Sequence, residues 1–354
     1  MNTVIIENVV KRQNKQEIIR QVVSEKIRNG EYGEKLPSVR ELAKNFSVNV
    51  ITLRKALSPL VGDGVIYTEK GKGIYINSKK RTCIGIIGST HEKSLFDKGE
   101  YFGDIFSGML ENIEKNNDFF SYQSKQRNRT YLEIIRENSS VAGLVIFAPG
   151  KAEENELRDI IEKIPFIVVG TTTMDKTFNC IDSDNYNDSM EAVRKLIKEG
   201  NKRILFLSDR LLSRTHDLRY KGYIDALSEC GIEYDKKMII TENPGENSFS
   251  DRVIALWGSV NPPDAIFAAS NYAAFKLLEI DDVRPQKNEL IVYDDPKDIL
   301  SRFGIEYRVI QQPLYEIGKL AIKKLYDLIQ NKNMKPEQIK LSSKLITKKR
   351  ENVL

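Results

Sequence analysis

Six short runs made almost wholly of apolar residues recur through the last three quarters of this chain: TCIGIIGS, GLVIFAP, PFIVVG, RILFLSDR, PDAIFAAS and ELIVYDD. Between them lie stretches with helical periodicity, such as FGDIFSGMLENIEKNN, TYLEIIREN, NELRDIIEKI, DSMEAVRKLIKEG and RYKGYIDALSECG. A strand that is apolar along its whole length is covered on both faces. That pattern predicts a parallel sheet with helices on either side, hence an α/β fold. FFSYQSK and RVIQQP read as further strands, and the alternation pauses at CIDSDN and resumes. Two such series predict two similar lobes. Ligands of these sheets bind beyond the carboxyl ends of strands, where Ser89, Pro149, Thr171, Asp209, Ser270 and Asp294 fall. Turn chemistry and helix capping are the plainer reading of such positions, and the one favoured for Pro149 and Asp209.

The first 80 residues have a different texture and a different charge. They hold 15 Lys and Arg against 8 Asp and Glu, leaving 40 against 42 for the remainder. The whole basic excess of this chain, formally +5, therefore lies in one small module, as expected of a polyanion binder. Residues 16–29 carry Ile18, Ile19, Val22, Val23 and Ile27 near helical spacing, with Gly30 and Gly33 as stops. In LPSVRELAKNF, Ser38 is placed to cap a helix whose third residue is Glu41, and Val39, Leu42, Ala43 and Phe46 form its apolar stripe. After a break at Ser47–Val48, Asn49 is placed to cap a third helix through Thr52, Leu53, Ala56, Leu57 and Leu60, which Pro59 should kink or shorten. Two short helices joined this tightly predict a helix-turn-helix. VIYTEKGKGIYI then predicts a two-stranded wing, whose glycines permit positive φ and close approach to phosphate. The spacing of Gly71 and Gly73 does not match a P-loop.

These segments, LPSVRELAKNFSVNVITLRKAL followed by GDGVIYTEKGKGIYI, resemble the winged helix-turn-helix of GntR-type bacterial transcription regulators over residues 14–77. The resemblance implies DNA contacts from Ser38 and Arg40 on the second helix, from Asn49, Thr52 and Arg54 on the recognition helix, and from Gly71, Lys72 and Gly73 at the wing tip. Arg40 and Arg54 have the reach for guanine or phosphate, and Asn49 and Thr52 for base edges or backbone. A salt bridge from Arg40 to Glu41 or Glu69 is the competing structural role. Val50 and Ile51 stand where the family usually has an arginine and a small hydroxyl residue. Apolar side chains there either touch thymine methyls or leave the helix with fewer hydrogen-bonded bases.

Residues 82–348 resemble the effector domain of LacI-type regulators, itself similar to type I periplasmic sugar-binding proteins: two Rossmann-like lobes with a ligand cleft between them. The segments that carry the resemblance include DSDNYNDSMEAVRKLIKEGNKRILFL, RYKGYIDAL, PDAIFAASNYAAFKLLE and VIQQPLYEIGKLAIKKLYDLI. A GntR-type reader joined to a LacI-type sensor is the architecture of the arabinose-repressor type of regulator. It implies a winged module over 1–77, a linker over 78–81 and an effector and dimerisation domain over 82–354. The first lobe would take 82–184 and 312–332, and the second 185–311 and 333–350. By motif position the resemblance implies ligand contacts from Arg219, Asn271, Asp294 and Gln312, with Ser89 and Tyr101 or Phe102 lining the first lobe. Tyr272 replaces an acidic residue common in the family. The competing roles are a pairing of Arg219 with Asp217 or Asp225, capping by Asn271, capping by Asp294 or Asp295, and core packing of Phe102.

Other classes fit poorly. Two histidines and three dispersed cysteines make neither a metal site nor a disulfide framework, and no Walker or GxSxG motif is present. An enzyme is not expected, nor a cofactor. No run approaches ~18 apolar residues, so no membrane span is expected. The N-terminus does not read as an export signal, which argues for a cytoplasmic protein and against a sugar carrier. The expected function is a ligand-responsive repressor of carbohydrate-utilisation genes, acting as a homodimer on double-stranded operator DNA and released by a small sugar. The alternative is a sensor of a non-sugar or a sugar phosphate that acts as activator or co-repressor.

Overall fold

The computed structural model describes residues 15–27, 31–62, 64–76, 82–88, 100–116, 118–126, 128–137, 140–172, 175–208, 214–280, 283, 289–331 and 333–349. Gly30, the expected linker 78–81, Ser89 and Asp209 lie outside the described residues. The chain forms two compact units that divide between Thr82 and Cys83.

The first unit comprises α1 (15–27), α2 (Val39–Asn45), α3 (Val50–Gly62), β1 (Ile66–Glu69) and β2 (Gly73–Ile76). Its core joins Ile19 and Val23 of α1 to Leu42 and Ala43 of α2, to Leu53, Ala56, Leu57 and Leu60 of α3, and to Ile66 and Ile74 of the hairpin. Ile18, counted with the apolar stripe of α1, is exposed instead. Ser47 turns the chain between α2 and α3 with a positive φ of 49°. α3 runs through Pro59 to Gly62, so the proline does not shorten it. Lys55 and Pro59 are both exposed, so water can take the place of the missing N–H.

The second unit holds two six-stranded sheets. In chain order its elements are β3 (Cys83–Gly88), α4 (Glu100–Lys115), β4 (Phe119–Ser124), α5 (Tyr131–Glu137), β5 (Val141–Phe147), α6 (Glu154–Arg158), β6 (Phe166–Val169), β7 (Cys180–Ser183), α7 (Asn185–Lys198), β8 (Ile204–Leu207), α8 (Arg214–Glu229), β9 (Ile239–Ile240), α9 (Asn247–Trp257), β10 (Ala265–Ala268), α10 (Asn271–Leu278), β11 (Leu290–Tyr293), β12 (Tyr307–Gln311), α11 (Leu314–Gln330), β13 (Gln338–Leu341) and β14 (Lys344–Lys348). The first-lobe sheet runs β13-β7-β6-β5-β3-β4 and the second β14-β12-β11-β10-β8-β9. β14 is antiparallel to β12, so the second sheet has one antiparallel edge where a wholly parallel sheet was predicted. The strands predicted from all-apolar runs are buried, β8, β10 and β11 at every residue.

The chain passes between the lobes at 183–185, 311–314 and 341–344. The third passage differs from the expected boundary at 333. Gln338 to Leu341 complete the first sheet in parallel register with Cys180 to Ser183, and only β14 reaches the second. The helix expected over NELRDIIEKI is also shorter. After α6, Asp159 and Ile160 donate to carbonyls three residues back, a tighter winding that ends at Pro165. Around the second passage, α11 packs on α4 with no room to spare. A Cβ on Gly318 would lie 1.8 Å from the Ile105 carbonyl oxygen, and one on Gly108 would lie 2.0 Å from that of Tyr315.

Candidate DNA-reading face and effector cleft

The starts of α2 and α3 are made by the residues predicted to make them. Ser38 Oγ accepts from the Glu41 N–H at 3.2 Å, and Asn49 Oδ1 accepts from the Thr52 N–H at 2.7 Å. Capping therefore occupies the acceptor oxygen of Asn49, and Thr52 is half-buried. Arg40 and Arg54 are exposed. Neither forms an ion pair among the described residues, and Glu69, one suggested partner of Arg40, pairs instead with Lys72 at 3.1 Å. In the wing, Glu69 faces Gly73 in antiparallel register, and Gly71 turns the tip with a φ of 78°. Gly73 takes a φ of 128°, a conformation side chains rarely adopt, and Lys35 Cε would lie 2.7 Å from a Cβ there. Lys35 in turn lies over the Tyr75 ring, which stacks on Tyr67.

In the second unit, three of the residues expected around a ligand, Arg219, Asp294 and Gln312, lie at or against strand ends. Arg219, on α8, is buried. Its Nε donates to Asn185 Oδ1 at 2.8 Å and its Nη1 to the Ala269 carbonyl at 2.7 Å. Asp217 and Asp225 are not its partners; Asp225 accepts from the Tyr186 hydroxyl. Asp294 follows β11 at a φ of 51°, a left-handed conformation that aspartate tolerates better than most residues. Its carboxylate accepts from the backbone N–H of Gln312 at 3.3 Å and from the Gln312 side-chain amide, and Ser183 Oγ donates to Gln312 Oε1. One short polar chain, Ser183–Gln312–Asp294, thus spans two of the inter-lobe passages. Asp295, not Asp294, stands at the start of the following helical turn, but its side chain makes no cap there; its carboxylate accepts from the Leu300 N–H and the Tyr307 hydroxyl. Ser270, not Asn271, caps α10 through the Ala273 N–H. Asn271 is the first residue of that helix and is half-exposed. Tyr272 is exposed, and its hydroxyl lies 3.3 Å from where a Cβ on Gly245 would sit.

In the first lobe, Tyr101 is half-buried against the core and Thr171 is buried. The Tyr101 hydroxyl would lie 3.3 Å from a Cβ on Gly170, and Thr215 Oγ1 of the other lobe donates to the Gly170 carbonyl at 3.3 Å. Phe102 does not line this cleft. It is buried in the first-lobe core, edge-on to Phe147 with ring centres 5.3 Å apart, because its position on α4 faces the sheet. Beside the Thr215 bridge, Arg214 Nη2 lies 2.7 Å from Glu154 Oε1, an ion pair that also links the lobes.

Sequence reasoning passed over three residues that hold this site in shape. Asn185 receives Arg219 and donates to Asp182 Oδ2 at 2.8 Å, and Asp182 Oδ1 accepts from the Ser183 N–H at 2.8 Å. Tyr293 lies flat under the Arg219 guanidinium. Their signals were present, in CIDSDN at the lobe crossing and in the tyrosine before Asp294. Burial pushes the Asp182 carboxyl up to about 7, against the opposing pull of its hydrogen bond to Ser183 and of Arg219. Burial raises Asp294 as well, opposed by Arg219 and Gln312. Among the described residues no group of histidine, cysteine and carboxylate side chains is arranged to hold a metal. No described helix is long and apolar enough to cross a membrane. A buried guanidinium, two amides and a carboxylate at the strand ends can offer donors and acceptors to a small polar ligand.

Residues 15–76 match the model of bacterial regulatory proteins of the gntR family. Residues 120–349 match that of periplasmic binding proteins and the sugar binding domain of the LacI family. The chain is 23% identical over 358 residues to the arabinose metabolism transcriptional repressor of Geobacillus stearothermophilus, covering 91% of this chain and 92% of that protein. It is 22% identical over 295 residues to the HTH-type transcriptional repressor PurR of Mannheimia succiniciproducens, covering 78% and 83%. A solved LacI family transcriptional regulator from Enterococcus faecium, with bound ribose, is similar in fold at a TM-score of 0.59 and 19% identity, covering 75% of this chain and 97% of that one.

Proposed function

The chain belongs to the family of periplasmic binding proteins and LacI-type sugar-binding domains, and from that premise we propose that it is a transcriptional repressor whose grip on operator DNA is set by a small polyhydroxy ligand. What supports this reading is that Arg219 bonds the carbonyl that follows β10, and that Asp294 and Gln312 bond one another at the passages between lobes. A sugar hydroxyl pair suits the remaining face of a guanidinium or a carboxylate, because both groups bind two neighbouring partners at once. The charge concentrated in the reader and the exposed Arg40, Arg54 and Lys72 favour duplex DNA as the macromolecular partner.

The protein acts as a cytoplasmic homodimer, not an enzyme, and places two readers on a two-fold operator. Ligand in the cleft favours one arrangement of the lobes over another. The equilibrium moves only as far as the ligand's affinity for the two arrangements differs. Ser38, Asn49, Thr52, Gly71 and Gly73 shape the reader and bring its cationic side chains to phosphate, while Tyr101 lines the cleft from the first lobe.

A thermal-shift screen against pentoses, hexoses, deoxyhexoses and their phosphates tests the effector half. Selective stabilisation by one compound, lost in Arg219→Ala while operator binding persists, is the expected result. Arg40→Ala or Arg54→Ala should do the reverse, abolishing operator binding and sparing the shift. Equal loss of both activities in each variant would argue against two separate sites.

A further inference from the structure

α3 presents two kinds of apolar residue at its start, and the structure separates them. Val50 packs against the core of the first unit, whereas Ile51 is 69% exposed. Ile51 shares a helical face with Arg54, Lys55 and Ser58, at i, i+3, i+4 and i+7, and all four are exposed. Arg54 and Lys55 fit that face to a polyanion. Asn49, just before it, has its oxygen engaged in the cap. A large β-branched aliphatic side chain held this far into water, one turn before two cations at the start of the helix, gains nothing for the folded chain. It gains if a partner covers it. The edges of base pairs in the major groove offer one apolar group, the thymine C5-methyl.

We infer that Ile51 reads a thymine by contact with its methyl group, giving this reader a base preference set by apolar packing where its relatives' pattern has a small hydroxyl residue. The inference rests on the reading of the first unit as a duplex-DNA reader. It departs from hydrogen-bonded readout in a measurable way. Replacing thymine by deoxyuridine removes only the methyl and leaves every hydrogen-bonding group in place.

The test uses the full-length protein and a duplex enriched by that protein from a random-sequence pool, with affinity followed by fluorescence anisotropy at one fixed salt concentration. Each thymine is replaced singly by deoxyuridine. At one position in each half-site the wild type should bind about fourfold more weakly, the size of one buried methyl group. Ile51→Ala should lose a similar factor on the thymine duplex and no longer distinguish the two bases there, while Lys55→Ala binds more weakly but still distinguishes them. Melting curves check that Ile51→Ala folds, as its exposure predicts. Wild-type affinity that is unchanged by deoxyuridine at every position overturns the inference, as does an Ile51→Ala variant that retains the full penalty. Failure of the pool to yield any bound duplex would instead sink the DNA-reader reading, and this inference with it.

Discussion

The guanidinium carbon of Arg219 lies 3.7 Å from the centre of the Tyr293 ring. The ring is fixed from beneath: its hydroxyl donates to the Asn185 carbonyl at 3.1 Å and meets Ser189 Oγ at 3.0 Å. Asn185 in turn receives Arg219 Nε, so arginine, tyrosine and asparagine close a loop that orients the guanidinium before any ligand arrives. Such preorganisation lowers the entropy lost on binding. Tyr293→Leu should weaken effector binding by about tenfold, in line with a desolvated cation–π contact, whereas Tyr293→Phe keeps the stack and loses less. Calorimetric titration with the effector found by thermal shift would decide it; equal losses in the two variants would refute the stacking role.

The inter-lobe pair Glu154–Arg214 has side chains only 13% and 17% exposed, so solvent screens it less than a surface pair. Glu154→Gln should weaken effector binding by roughly threefold to tenfold with operator affinity of the ligand-free protein unchanged. A double-mutant cycle with Arg214→Ala should show the two losses to be strongly non-additive. Simple addition would mean the two side chains do not act as a pair across the lobes.

Close packing of α11 on α4 makes Gly318 a stability determinant. A Cβ there would lie 1.8 Å from a backbone oxygen, which forces the helices apart. Gly318→Ala should cost about 2–3 kcal/mol as an overpacking change and lower the Tm by about 5 °C or more. Gly103→Ala on α4 is the internal comparison, since nothing lies within 4 Å of a Cβ at that position. It should leave the Tm unchanged or slightly higher, because alanine is the better helix former.

Asp182 gives the protein a signed pH dependence. Burial raises its folded-state pKa to about 7 from the ordinary 3.8. Below both values the carboxyl is protonated in either state. As the pH rises between them, the folded chain holds a proton that the unfolded chain has released, so this group's contribution to stability falls toward pH 7 and then levels. Thermal melts from pH 4 to 8 should show that decline in the wild type and a flatter profile in Asp182→Asn. Identical profiles would show that Asp182 is ionised throughout.

Much of this was legible in the residues because the signals are local. The all-apolar runs place the buried strands, and Ser38 and Asn49 make the two helix starts that their positions predict. The fold class and the reader's shape follow from such short-range patterns, each contained within a few residues. Arg219, Asp294 and Gln312 were identified by motif position, and the structure does bring them to the strand ends. What they bond there was not readable, because those partners lie far away in sequence. Tyr293 finds Ser189 across 104 positions, and Ser183 finds Gln312 across 129. Phe102 and Tyr101 are adjacent on one helix, yet one is buried in the core and the other is only half-buried with its hydroxyl toward Gly170, a distinction made by the rotation of α4 against its sheet. The same holds for Val50 and Ile51 on α3. Periodicity and capping state what each segment becomes; which face it buries, and which distant side chain it meets, is decided only when the segments pack.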